Sequence, residues 1–181
     1  MQLSRAAYVI LGMVRLGRRT GYEIKSLVDV STRFFWAASY GQIYPELKRL
    51  EEAGLLEGED DPESGRRRRS HRLTAAGERA LHDWLTSSEP LEHELRDEGL
   101  LKFFFADALE PDERAALLRR MREQYEGLRQ RLLEIQPGAQ AARDERGGEE
   151  FAYLTLEWGI SHAEFMANWC ARMELRVKEG D

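Results

Sequence analysis

The chain of 181 residues is 42% hydrophobic and 33% charged, carries a net charge of −6 and has one cysteine. This is enough apolar material for one proper core, or for a small core with an appendage that a partner completes. An internal disulfide is excluded, and Leu100-Leu101 and Phe103-Phe104-Phe105-Ala106 are cut by charge well short of the ~20 apolar residues of a bilayer span, so no membrane segment is expected.

In chain order, Met1 to Arg5 lack the basic flank, apolar core and cleavage site of a signal peptide, which makes the cytoplasm the expected compartment. Leu3, Ala6, Ala7, Ile10, Leu11 and Val14 recur at helical spacing, predicting a helix over 4–16 that Gly17 ends. Thr20-Gly21-Tyr22-Glu23 has the form of a capping box and opens a short second helix carrying Ile24, Leu27 and Val28. Ser39-Tyr40-Gly41-Gln42 reads as another, opening a third helix with Ile43, Leu47 and Leu50 on one face and Gly54 at its end. Pro45, in its second turn, predicts a tight or kinked start. Leu55 to Glu59 then reads as a strand, Asp60 to Arg69 as a polar turn-rich segment and Ser70 to Leu73 as the return strand. Thr74 caps a fourth helix lined by Gly77, Leu81, Trp84 and Leu85, and Ser87-Ser88-Glu89-Pro90 places a domain boundary, with domains over 1–88 and 89–181.

Beyond it, Leu95 to Leu109 reads as a helix buried on several sides around Phe103 to Phe105. Pro111 starts another at its first position, with a seam of Leu118, Met121, Tyr125, Leu128, Leu132 and Ile135 that Pro137-Gly138 stops. A loose segment over about 137–148 follows. The last helix shows Phe151, Leu154, Trp158, His162, Phe165, Trp169 and Met173 as one stripe, with Cys170 as a small apolar residue on it.

Three short helices and a hairpin, in that order, predict a mainly α fold: a winged helix-turn-helix followed by an α-helical dimerisation domain. The acidity supports the division, because residues 1–88 carry 14 Lys+Arg against 12 Asp+Glu, whereas 89–181 carry 13 against 21. Opposite its apolar face the third helix shows Gly41, Gln42, Pro45, Lys48 and Arg49, a set that suits base edges and phosphates. Arg66, Arg67, Arg68 and Arg69 at the hairpin tip form a cationic cluster suited to phosphate, against which stands self-pairing with Glu59-Asp60-Asp61.

Thr20-Gly21-Tyr22-Glu23-Ile24, the run from Tyr40 to Glu51, Gly54-Leu55 and the run from Arg72 to Gly77 together resemble the PadR-like transcriptional regulators in order and spacing. Residues 5–85 resemble them closely, and 92–178 look like the helical C-terminal region of the longer, virulence-activator members. The resemblance implies a homodimer whose C-terminal helices clasp each other and set two winged domains on a pseudo-palindromic double-stranded DNA operator. It also implies a repressor, relieved in many members by a small hydrophobic or aromatic ligand. Tyr22, Ser39, Tyr40, Gln42, Tyr44 and Lys48 match its DNA-facing region, with Lys25 and Arg49 beside them, and Arg66 to Arg69 match its wing. Two departures stand out: His71 where the family usually has tyrosine, and an arginine-rich wing where glycine is usual.

Phe103, Tyr153, Trp158, Phe165 and Trp169 are effector-pocket candidates, although helix packing is the reading favoured for such aromatics. His71, His82, His93 and His162 show no paired ligand spacing with Cys170 or one another, so neither metal nor cofactor is expected. An enzyme is argued against by the lack of a nucleophile–base pair or phosphate-binding glycine loop, since Glu149-Glu150 follow Gly147-Gly148 where an anion would sit. The rival from another class is a helical adaptor whose winged domain binds protein.

Overall fold

The computed structural model describes residues 3–36, 40–61, 68–91, 96–146 and 150–179. The chain divides into two compact units, Met1–Pro90 and Leu91–Asp181.

In the first unit, α1 (Arg5–Arg15) is capped by Ser4, whose hydroxyl accepts from the Ala7 amide at 3.0 Å, and it buries Ala7, Ile10, Leu11, Met13 and Val14. Gly17, at φ +82°, turns the chain out of it. The capping box opens α2 (Gly21–Val30): the Glu23 amide donates to Thr20 Oγ1 at 3.2 Å, and the Thr20 amide donates to the Glu23 carboxylate at 3.0 Å. A 3₁₀ turn, Thr32–Phe34, leads on towards α3 (Tyr40–Glu52). The box expected at Ser39 lies outside the described residues. The third helix runs through Pro45, near its exposed start. Ile43, Leu47 and Leu50 are buried against α1 and α2, each contributing about 1.5–3 kcal/mol.

The hairpin is longer than its composition suggests. Strands β1 (Leu56–Asp61) and β2 (Arg68–Leu73) pair antiparallel from Leu56↔Leu73 to Asp61↔Arg68, so Asp60, Asp61, Arg68 and Arg69 lie in the ladder instead of in a turn. The Asp60–Arg69 ion pair contributes to this, since a cross-strand pair offsets poor strand propensity. Thr20 bridges to Ser70, and the His71 amide donates to the Arg19 carbonyl at 2.7 Å, which fastens β2 to the α1–α2 turn. Thr74 caps α4 (Ala75–Leu85), where Trp84 stacks on Tyr8 at 4.6 Å. Leu85, expected on the packed face, is exposed instead.

In the second unit the expected long helix over 95–109 is two pieces: α5 (Glu98–Phe104) and a 3₁₀ turn, Ala106–Ala108. Asp97 caps α5 and also accepts from the Tyr125 hydroxyl, while Arg114 holds the carbonyls of Ala106 and Asp107. These contacts fix the break at Phe105. The expectation of burial on several sides is overturned, because only Phe103 of the three phenylalanines packs inward, and Phe104 and Phe105 are exposed. Helix α6 (Pro111–Arg146) begins at Pro111, but Pro137-Gly138 do not stop it, nor is the following stretch loose through Arg146. Its contact with α7 (Glu150–Glu179) carries it past the proline: the Tyr153 hydroxyl meets Gln136 at 3.3 Å, and Arg143 lies 4.5 Å over the Tyr153 ring.

On α7 the buried face differs from the aromatic stripe. Tyr153, Ala163, Met166, Ala167, Cys170 and Glu174 are buried, with Leu156 and Ile160 half-buried, whereas Phe151, Leu154, Trp158 and Phe165 are exposed. Glu174 survives burial because Arg119, Arg122 and Lys178 surround its carboxylate at 3.2, 3.1 and 2.8 Å, and they hold it below the usual range, Lys178 foremost. Burial, and then the bond to Asp97, pushes the Tyr125 phenol up.

Candidate nucleic-acid interface

The face of α3 opposite the core is exposed at Gly41, Gln42, Tyr44, Pro45, Lys48 and Arg49. Its charges are lightly held: Lys48 lies 3.6 Å from Glu52 with its side chain 79% exposed, and Arg49 lies 3.3 Å from Glu46 at 74%. Such surface pairs are worth little, so either cation can be redirected to a phosphate. Glu46 also accepts from the Ser4 hydroxyl at 2.7 Å, which ties the start of α1 to this helix.

The Tyr44 ring lies over the first turn of α2. A Cβ on Gly21 would come within 2.6 Å of it, so this glycine is what allows the approach. Tyr44 and Tyr22 are both exposed, at 61% and 71%, whereas Lys25 is half-buried. Ser39, Arg66 and Arg67 lie outside the described residues, as do the side chains of Tyr40 and Arg68.

At the base of the wing, Arg69 is not a free cation. Its Nε and Nη2 reach the Glu51 carboxylate at 2.9 and 2.8 Å, and its Nη1 reaches Asp60 at 2.8 Å. Arg72 pairs likewise with Glu57 across the ladder. The Arg69 guanidinium, and after it His71, holds the Glu51 carboxyl below its ordinary value against the opposing effect of burial. His71 is buried, with Nε2 2.8 Å from Glu51. A Cβ on Gly58 would stand on the Glu51–Arg69 pair, so a glycine in the strand marks the crossing. Glu51 and Gly58 were missed by sequence reasoning; a glycine inside a strand beside a histidine at an inward register was the available signal.

The aromatic effector candidates are divided among several contacts. Phe103 meets Trp169 edge to face at 5.5 Å, Trp158 stacks on His162 at 5.3 Å, Tyr153 is buried under α6 and Phe165 is exposed. At 1.5 Å per residue, Tyr153 and Trp169 stand about 24 Å apart along α7, too far to line one small pocket within a chain. Among the described residues no group of three or more His, Cys, Asp or Glu could hold a metal ion.

Comparison with known proteins covers both units. Residues 10–83 match the transcriptional regulator PadR-like family, and residues 95–177 match the virulence activator alpha C-terminal family. The negative transcriptional regulator PadR of Bacillus subtilis is 34% identical over 113 residues, a stretch spanning 62% of this chain and 62% of that protein. The crystal structure of B. subtilis PadR in complex with operator DNA superposes with a TM-score of 0.87 at 25% identity, over 98% of this chain and 99% of the other. PadR in complex with p-coumaric acid gives 0.79 at 25% identity over the same shares. With its winged unit and its helical unit each matched in order, the chain belongs to the PadR-like family of transcriptional regulators, in the branch with a virulence-activator C-terminal region.

Proposed function

We propose that the chain is a sequence-specific DNA-binding repressor, a cytoplasmic homodimer without enzymatic activity. Residues 1–88 read a pseudo-palindromic operator, and residues 89–181 join the subunits and take up a small aromatic ligand that releases the DNA. The observation that carries this reading is the α3 face: Gln42, Tyr44, Lys48 and Arg49 are exposed on a helix whose other side, Ile43, Leu47 and Leu50, is locked into the core. Gln42 offers a bidentate partner to an adenine edge, and Lys48 and Arg49 offer guanine or phosphate contacts. Tyr22, Lys25, Ser39 and Tyr40 flank them, and Arg66 to Arg69 supply backbone contact from the wing, with Arg69 entering through its bond to Glu51. Support for operator binding and for a phenolic ligand comes from the complexes of B. subtilis PadR.

The homodimer rests on Phe151, Leu154, Trp158 and Phe165, an exposed apolar row on α7 that one chain leaves uncovered. Ligand-lining aromatics divided along one helix are brought together when a second copy adds its own. No helix among the described residues is long and apolar enough to cross a membrane.

The test is selection of bound duplexes from a random pool at two salt concentrations. Enrichment of an inverted repeat with half-sites about 34 Å apart is expected, with affinity falling as salt rises. Lys48→Ala is expected to weaken binding and to lower the salt slope by about one ion. No enrichment at either salt, in the presence of a panel of phenolic acids and in its absence, would favour the protein-binding adaptor.

A further inference from the structure

Phe151, Trp158 and Phe165 stand seven residues apart on α7, and all three are exposed, at 81%, 56% and 58%. Seven residues are nearly two turns, so the rings form one stripe about 21 Å long, with Phe151 and Phe165 turned about 20° to either side of Trp158. The stripe therefore reads the same from either end. Trp158 is its midpoint, and a half-turn about that midpoint exchanges Phe151 with Phe165. Such a face is complementary to itself, which is what an isologous two-fold contact requires.

Its area suits a second copy of the chain. With Leu154 between the first two rings, the stripe offers on the order of 450 Å² of apolar surface, taking about 200 Å² for a whole aromatic side chain. A standard interface takes about 800 Å² from each partner, of which up to about 65% is apolar. The stripe thus supplies most of the apolar centre of such a contact. Its midpoint is also held in place: the Trp158 ring stacks on His162 at 5.3 Å, and His162 meets Tyr125 edge to face at 6.3 Å. The Tyr125 hydroxyl is in turn tied to Asp97. A tryptophan fixed before contact, at the centre of a patch, concentrates binding energy there.

Self-complementarity alone lets the two helices run in the same direction or in opposite ones. The next position of the stripe decides between them. Arg172, seven residues after Phe165, is exposed in line with the rings. Parallel helices would set two Arg172 guanidinium groups side by side in the seam, and like charges so placed repel. Antiparallel helices centred on Trp158 leave them about 42 Å apart along the axis.

We propose that the subunits meet through two antiparallel copies of α7 with Trp158 on the two-fold axis, so that Phe151 of each copy packs against Phe165 of the other. This rests on the homodimer reading above.

The test puts one nitroxide on the full chain, at Ala152→Cys, Glu164→Cys or Asn168→Cys, each exposed and outside the stripe. Pulsed dipolar spectroscopy then gives the distance between the two labels of a dimer. Cys170 is fully buried, so the unaltered chain is the control for label uptake, and Cys170→Ala is the background if it takes label. The axial separation is expected to grow by about 3 Å for each residue away from Trp158, twice the helical rise. That is about 18 Å at both Ala152 and Glu164, and about 30 Å at Asn168. Nearly equal distances at all three sites would mean parallel helices, and a clear difference between Ala152 and Glu164 would move the axis off Trp158. Either pattern would overturn the proposal. A second readout is the coupling between the two ends of the stripe. Phe151→Ala and Phe165→Ala together are expected to raise the dimer dissociation constant by less than the product of their separate effects, because each removes the same contact. Independent effects would overturn the pairing. A labelled chain and a wild type that both sediment as monomers would overturn the homodimer reading and the proposal together, whereas a dimer with the wrong distances overturns the proposal alone.

Discussion

Gly12 and Gly77 both sit inside helices, yet the same added methyl acts on them with opposite sign. A Cβ at Gly12 meets nothing within 4 Å, whereas one at Gly77 strikes the backbone carbonyl of Leu55. Gly12→Ala is expected to stabilise the chain by about 0.5–1 kcal/mol by removing backbone freedom from the unfolded state. Gly77→Ala is expected to cost about 1–3 kcal/mol through overpacking. Thermal unfolding of the two variants checks both signs at once. Glu51 gives an acid-side prediction. Its folded carboxyl is lowered from the ordinary value of 4.5, so its stabilisation is present above that value and is lost as pH falls through the lower, folded one. Glu51→Gln is thus expected to be less stable than the wild type near neutrality, with the gap closing below about pH 4 in acid unfolding followed by circular dichroism. The exposed α3 side chains were legible in the sequence, because they are what helical spacing leaves opposite Ile43, Leu47 and Leu50. The Glu51–Arg69–His71 bridge was not, because its members come from separate segments and meet only when the hairpin closes over α3.

Helices α1, α2 and α4 begin at the capping residues Ser4, Thr20 and Thr74, and the core faces of α1 to α3 keep the helical period. Helices α6 and α7 departed from the sequence pattern for two physical reasons. Pro137 is a strong local stop signal, but the packing of Tyr153 beneath Gln136 and Arg143 continues the helix past it. On α7 the large aromatics Phe151, Trp158 and Phe165 mark a face other than the buried one. Tyr153, Leu156, Ile160, Ala163, Ala167, Cys170 and Glu174 recur by threes and fours as regularly, and small residues let α6 approach closely. Ala163 is fully buried there, so Ala163→Leu is expected to cost about 1–3 kcal/mol. A lower denaturant midpoint with an unchanged slope would bear this out, while a slope change would mean that the helices had come apart.

The division of charge, near balance in residues 1–88 and strongly acidic in 89–181, bears on how a protein with net charge −6 can hold DNA. A winged domain with a small positive excess has little sequence-independent attraction to a polyanion, and its recognition face offers few side chains. Two such domains on one duplex bind far better, because the second contact is intramolecular and adds about 10²–10⁴ in avidity without any new interaction. Dimerisation is therefore a condition of useful affinity in this reading. On the proposed reading, the exposed row of Phe151, Leu154, Trp158 and Phe165 is where it can be cut without disturbing the α6–α7 seam. Trp158→Glu puts a charge in the middle of that row, and its only described ring contact is the stack on His162. The variant is expected to sediment as a monomer with unchanged helical content, and to lose about a hundredfold or more in affinity for a full inverted repeat while binding a single half-site as the wild-type subunit does. A variant that stays dimeric would move the interface off this row, and one that is monomeric yet binds the full repeat undiminished would show that each winged domain acts alone.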